Sequence, residues 1–243
     1  PLTAPFSQRL GILAQCSPVL QKLGQVLARD PRLAPELRTH LRALESLPPT
    51  VSLETIGELL ADELGPLDRR GVHLLPPAIA EASVAVVIPY RQEGRGKQGV
   101  FKLLKPGIEE RLERELALLA QVGEYLDQRC AELKIPSLDY QQAFEQVSGK
   151  LWEEVLLEHE QRHLVEAKQF FADEPRVRIP ELYEHSTNRV TAMERIHGGK
   201  VTEHGLAKAS QKRRLAALVA DALVAKPIFA KSDPALFHSD PHA

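Results

Sequence analysis

The sequence predicts an α+β protein in which a small antiparallel sheet lies between helical segments, and three observations carry that prediction. Apolar residues recur at helical spacing through roughly the first 65 positions. β-branched residues then concentrate in Val72–Leu75 and Ser83–Tyr90, and a further alternating run, Gly99–Leu104, stops at the turn pair Pro106-Gly107. Beyond that turn, leucine-rich helical stretches return, interrupted by two short strand-like runs.

Taken in order, Leu10, Ile12, Leu13, Val19, Leu20, Leu23, Val26 and Leu27 predict two short helices, separated at Ser17-Pro18 because proline cannot donate within a helix. A third helix is expected over Pro35–Leu47, ending at Pro48-Pro49-Thr50. A fourth spans Ser52–Leu64, with Glu54 in the first turn, where a carboxylate meets the positive end of the helix dipole. Gln92–Lys97 reads as a hairpin turn into the Gly99–Leu104 strand. A long helix follows over Ile108–Lys134, and a second helical stretch over Leu138–Ala172, expected to break near Ser148-Gly149. Strands over Glu181–His185 and Arg189–Arg195 are joined by Ser186-Thr187-Asn188. Helices at Leu206–Ala209 and Lys212–Phe229 then lead to the loop Leu236–Ala243. Three units are expected: a helical extension over 1–70, a sheet-bearing lobe with a helical insert over 71–197, and the start of a helical lobe over 198–243.

Composition narrows the function. At 243 residues and 43% hydrophobic, the chain buries a real core. No run approaches the roughly 18 apolar residues of a membrane span, and the start does not read as a secretion leader. A formal charge of -2, with basic residues scattered apart from Lys208–Arg214, argues against nucleic acid and makes that cluster a solvated face. Cys16 and Cys130 lack metal-ligand spacing and read as packing residues of a reducing compartment. The ends at Pro1 and Ala243 are expected to be those of a piece of a longer parent protein.

Lys102 is the candidate around which the chemistry is read. It stands inside an apolar alternating strand, where burying an ammonium is costly without a counter-charge. An edge-strand charge is the plain reading of one such lysine. In protein kinases, however, a strand lysine contacts the nucleotide phosphates while paired with a glutamate on the following helix. Four further features follow in that order. Glu166 stands on the helix before the later strands. Met193 precedes a turn, where a hinge would offer backbone groups to adenine. His238-x-Asp240 has catalytic-loop spacing, and the small-residue loop Ala78–Ser83 precedes the lysine strand. Each has a bland local reading: an exposed acid, a packing methionine, a solvated turn, a short loop. Their order gives them weight.

Together these residues resemble the ABC1/UbiB/AarF atypical kinase-like family. Lys22-Leu23-Gly24-Gln25 is similar to its Lys-x-Gly-Gln helix, and Arg29-Asp30, Leu33, Pro35, Leu41–Pro49 and Glu63-Leu64-Gly65 match the features that follow. Ala80-Glu81-Ala82-Ser83 resembles its alanine-rich nucleotide loop, and Lys102–Gly107 its lysine strand. Pro175–Pro180, Ser186–Glu194 and Phe237–His242 resemble its later segments. The resemblance implies a kinase-like small lobe, a family-specific helical extension and the start of a helical large lobe. It places the helix glutamate on Glu166 and the glutamate of an upstream Glu-x-Asp pair on Glu160, with Arg162 in place of the aspartate. It also implies a cofactor, ATP with Mg2+ in the full parent, and nucleotide contacts from Ala80, Ala82, Ser83, Lys102, Met193, Glu194 and Ile196. Asp240, Lys102 and Glu166 would do the catalytic work, while Lys22, Gly24 and Gln25 pack over the site.

Two other departures are informative. Glu81 stands where the family has alanine and is expected to bring an acid near the phosphates, weakening nucleotide binding. The family's metal-binding asparagine and Asp-Phe-Gly fall beyond Ala243, so no complete metal site is expected within the chain. The resemblance implies an ATPase or small-molecule phosphotransferase supporting isoprenoid quinone biosynthesis, cytoplasmic or at a membrane surface, with quinone-biosynthesis proteins or lipid as partners. Two alternatives stay open: a pseudokinase-type lipid- or partner-binding module, and a helical structural protein whose matches are incidental.

Overall fold

Ser17 fixes the start of the first described helix, α1 (Pro18–Leu27). Its hydroxyl accepts from the Leu20 amide at 3.0 Å, and a proline stands in the first turn, where no amide is needed. The structure is a computed structural model. It describes residues 17–28, 35–43, 50–94, 98–133, 139–199, 208–231 and 235–238, with the single positions 9, 12, 96, 135 and 137. The helices that follow α1 are α2 (Pro35–Ala43), α3 (Leu53–Leu64), α4 (Ile108–Leu133), α5 (Tyr140–Val155), α6 (Leu157–Phe170) and α7 (Ala209–Ala220). The strands are β1 (Val72–Leu74), β2 (Ala80–Glu81), β3 (Ala85–Gln92), β4 (Gln98–Leu104) and β5 (Val190–Glu194).

All pairings in the five-stranded sheet are antiparallel. β1 and β2 share one edge of β3, β4 is internal, and β5 closes the far side. Lys102 therefore sits on an inner strand, between Val87 and Thr191. Strand alternation sorts the sheet into two faces. Val86, Ile88, Tyr90, Phe101, Leu103, Val190 and Ala192 pack behind it against Ile56, Leu60 and Leu64 of α3. Ala85 and Leu104, on the Lys102 face, join Ile108, Leu112, Leu116 and Leu119 of α4 and Val147, Leu151 and Val155 of α5. Val19 and Leu23 of α1 complete that cluster. Ser17 ties α1 down further by donating to Glu115 of α4 at 2.6 Å.

Several sequence expectations are corrected. α5 runs unbroken through Ser148-Gly149, and the chain bends instead at Leu156 (φ -84, ψ 71). One exposed glycine costs a helix only about 1 kcal/mol, and burial of Val147, Leu151 and Val155 outweighs it. Ala80-Glu81 pairs with β3 as a short strand where only a loop was expected. The Glu181–His185 strand is reduced to one bridge, Leu182 opposite Met193, supported by the Tyr183 amide donating to Ala192 O at 2.7 Å. α7 begins at Ala209 and continues through a π-turn at Asp221–Ala225 into Lys226–Ile228. Leu206, Cys16, positions 44–49 and Asp240 lie outside the described residues.

Gly99 shows how tightly the rear face is filled. Tyr90 stacks on Phe101, with ring centroids 4.0 Å apart, and its ring covers Gly99, its cross-strand partner. A Cβ on Gly99 would collide with Tyr90 Cε1 and Cζ. Gly99→Ala is expected to lower unfolding free energy by about 1–3 kcal/mol, the cost of overpacking. Urea denaturation checks this, and an unchanged midpoint would count against the packing described.

Candidate functional site

The half-buried ammonium of Lys102 meets its carboxylate on α6, where Nζ bonds Glu160 Oε2. The side chains are 23% and 35% exposed, so the pair is only partly shielded from water. This corrects the sequence assignment, which gave the role to Glu166. Six residues advance a helix by about 600°, or roughly 240° past a whole turn, and Glu166 is exposed on the far side of α6. The rotation of α6 is set by Gln161, whose Nε2 donates to Thr187 O (2.7 Å), Val190 O (3.2 Å) and Thr191 Oγ1 (3.1 Å). Gln161 was not foreseen from the sequence. Its only signal there is adjacency to the pairing glutamate, which a helix offers at every position.

A second pair lies beside the first. Lys22 of α1 bonds Glu154 of α5, and Ser83 Oγ donates to the other oxygen of that carboxylate at 2.9 Å. Glu154 and Glu160 are six residues apart, as are Glu160 and Glu166. The sequence assignments, Glu160 for the upstream glutamate and Glu166 for the helix glutamate, thus each lie six residues beyond the acids that meet the two lysines. With the upstream glutamate at Glu154, the position two residues on is Leu156, at the bend, rather than Arg162.

Both pairs border one cavity of about 1100 Å³. Its polar lining includes Lys22, Lys102, Glu154 and Glu160, with Lys150, His159 and His163. Its apolar lining includes Phe171, Val177, Ile179, Leu223, Pro227 and Phe237. His238 lines the cavity, whereas its neighbour Asp240 lies outside the described residues. Gly24 is buried and Gln25 half-buried on α1, and only Lys22 of that motif is among the described lining residues.

The nucleotide-loop candidates face different ways. Ala80 and Ala82 are exposed, Ser83 is buried against Glu154, and Glu81 points elsewhere. Glu81 was expected to bring charge toward the phosphates. Instead its carboxylate accepts from the Thr50 amide, the Thr50 hydroxyl (2.8 Å), the Val51 amide (3.2 Å) and Lys105 Nζ (2.7 Å). Burial pushes this carboxyl up, but Lys105 and the Thr50 and Val51 donors together hold it below the usual glutamate range. It is therefore ionised and compensated at neutral pH.

The hinge candidates lie where β5 ends. Met193 faces the same side as Lys102, opposite Val100. The Glu194 amide donates to Glu181 O at 2.8 Å, and its buried carboxylate takes Arg178 Nη2 at 2.6 Å. The Arg195 amide is bonded to Gln98 O at 3.1 Å, and Ile196 is exposed as the chain leaves the sheet. None of Met193, Glu194 and Ile196 is among the described residues of the 1100 Å³ cavity.

Two lysines line the cleft, each paired with one carboxylate. The described residues contain no group of three or more His, Cys, Asp or Glu placed to hold a metal. No helix among the described residues is long and apolar enough to cross a membrane.

An antiparallel five-stranded sheet, carrying on an inner strand a lysine paired with a glutamate of the third helix that follows it, is the small lobe of a kinase-like protein. The ABC1 atypical kinase-like domain matches residues 44–243, and the chain belongs to that family. It is 26% identical over 234 residues to a probable protein kinase UbiB of Marinobacter nauticus, covering 95% of this chain and 42% of that protein. It is 28% identical over 192 residues to an uncharacterized aarF domain-containing chloroplastic protein kinase of Arabidopsis thaliana, covering 75% of this chain and 34% of that protein. A third relative, the chloroplastic ACTIVITY OF BC1 COMPLEX KINASE 1 of the same plant, is 28% identical over 204 residues, covering 82% and 30%. The chain thus spans less than half the length of these relatives.

Proposed function

We propose that the parent protein binds ATP with Mg2+ in this cleft and hydrolyses it, or passes its terminal phosphoryl group to a small molecule, in support of isoprenoid quinone (ubiquinone) biosynthesis. The observation that carries this reading is the Lys102–Glu160 pair on the cavity wall. Lys102 engages the phosphates, and Glu160 holds its ammonium in place, leaving two of its three N–H donors for ligand. Ala80 and Ala82 cover the phosphates, with Ser83 anchoring the loop through Glu154. The backbone at Met193–Ile196 receives adenine. Because the Glu194 and Arg195 amides are already bonded within the sheet, a donor to the base falls at or beyond Ile196. Asp240 orients the hydroxyl or water that attacks. Bound Mg2+ supplies neutralisation of the β- and γ-phosphate charge. Lys22 occupies the wall over which a protein substrate would pass, which favours a small acceptor or water.

The names of the UbiB relatives and the family membership support the quinone-linked role, and a cytoplasmic or membrane-peripheral location is part of the same proposal. A second reading, a pseudokinase-type lipid- or partner-binding module, is favoured by the apolar lining of the cavity, where Phe171, Ile179 and Phe237 would suit an apolar ligand. Thermal denaturation of the full-length parent separates the two. With ATP and Mg2+ at 100 times Kd, mass action adds about 2.7 kcal/mol to stability, so the melting temperature should rise in wild type and not in Lys102→Met. No rise in wild type would overturn the ATP reading in favour of the second.

A further inference from the structure

We infer that Glu81 is a positioning residue for the nucleotide loop, clamping it from outside the cleft so that only Ala80 and Ala82 are presented to ligand. This rests on the nucleotide reading of the site. Alternation along β2 turns neighbouring side chains to opposite faces. Glu81 goes to the outer side, where it is 6% exposed and accepts from two backbone amides, a hydroxyl and an ammonium. A carboxylate satisfied by several donors loses little of the compensation it had in water, and it holds its partners at fixed positions.

Those partners matter for geometry. Thr50 and Val51 immediately precede Ser52, the cap of α3, and α3 packs behind the sheet through Ile56 and Leu60. Lys105 follows the strand that carries Lys102, and its amide bonds Val84 O at 2.9 Å. One carboxylate therefore joins the loop, the helix behind the sheet and the end of the lysine strand. Past the end of β2, Ser83 secures the loop to Glu154 on the cleft side. The turn that contains Ser83 is closed by the Ala82 amide donating to Ala85 O at 2.8 Å. The loop is thereby fixed relative to Lys102 before any ligand arrives, which lowers the ordering cost of binding.

The sign of one substitution decides the matter. An acid aimed at phosphates would repel them, so Glu81→Ala would tighten nucleotide binding. A clamp predicts the reverse. In the full-length parent, hydrogen exchange at the Thr50 and Val51 amides without nucleotide reads the clamp directly, and titration with ATP and Mg2+ well below the melting temperature reads the loop. Glu81→Ala should deprotect both amides and raise the nucleotide Kd by about tenfold. Glu81→Gln keeps an acceptor oxygen and should stay within about threefold of wild type. Lys105→Met should lie between them, and it serves as the second variant if Glu81→Ala fails to fold. Tighter binding in Glu81→Ala overturns the proposal, as does an unchanged Kd with both amides deprotected, which would mark a merely structural contact. Wild type that binds no nucleotide overturns the positioning role together with the reading of the site, whereas amides that exchange freely in wild type overturn the clamp alone.

Discussion

Glu160→Gln is expected to remove about half or more of the nucleotide-dependent stabilisation, while Glu166→Gln leaves it intact. Glutamine keeps the shape but not the charge, so Lys102 loses the counter-ion that holds its ammonium toward the cavity. Removing one partner of a fully buried pair costs about 3–5 kcal/mol. These side chains are 23% and 35% exposed, and solvent screening reduces the expected cost to about 1–2 kcal/mol. The larger effect is on ligand: a lysine freed to rotate away presents its charge at phosphate range less often, and apparent ATP affinity should fall by at least about tenfold. Glu166 is exposed on the other side of α6, and its substitution should stay within about 0.5 kcal/mol of wild type. Titration of both variants against ATP and Mg2+, with denaturant curves alongside, makes the comparison. A stronger effect from Glu166→Gln would show that α6 is rotated from the position described.

Leu60→Ala should be the most destabilising single truncation in the helical extension, by about 3–4 kcal/mol. Its side chain is fully buried between α3 and the rear of the sheet, with Ile56, Val86, Ile88 and Phe101 in the same cluster. Five strands cannot close over the void, because Phe101 is held by its stack on Tyr90. For a protein of this size the melting temperature should drop by roughly 6–15 °C. Leu53→Ala on the same helix is the control, since Leu53 is largely exposed. Calorimetry decides it. A loss below about 1 kcal/mol at Leu60 would mean that α3 rests loosely on the sheet instead of forming its rear wall.

The sheet and the long helices were legible because their signals are local. β-branched runs, the Pro106-Gly107 stop and the Ser52 cap each act within a few residues, and β3, β4 and α3 lie where those signals put them. The bend between α5 and α6 was not legible. Gly149 was the strongest breaker in sight, yet the helix passes through it because Val147 and Leu151 are anchored in the core against α4. Misplacing that bend displaced the acids behind it. Glu154, Glu160 and Glu166 repeat at the same spacing, and nothing within the helix says which one meets Lys102. Glu81 was misjudged for a related reason: its residue type announced a charge near the loop, but strand parity and the donors at Thr50, Val51 and Lys105 decided which way that charge points.

By itself the sequence determined that Lys102 would stand on an apolar strand and need an acid from elsewhere in the chain, since periodicity and the cost of an uncompensated ammonium are properties of the chain. Tertiary structure alone chose the acid. Helix phase around Leu156, the hold of Gln161 on the β5 turn and the packing of α1 onto α4 and α5 bring Glu160 to Lys102 and Glu154 to Lys22. These contacts join residues up to 132 positions apart, and a separation of that kind is fixed by how cores pack, not by any pattern a local window contains.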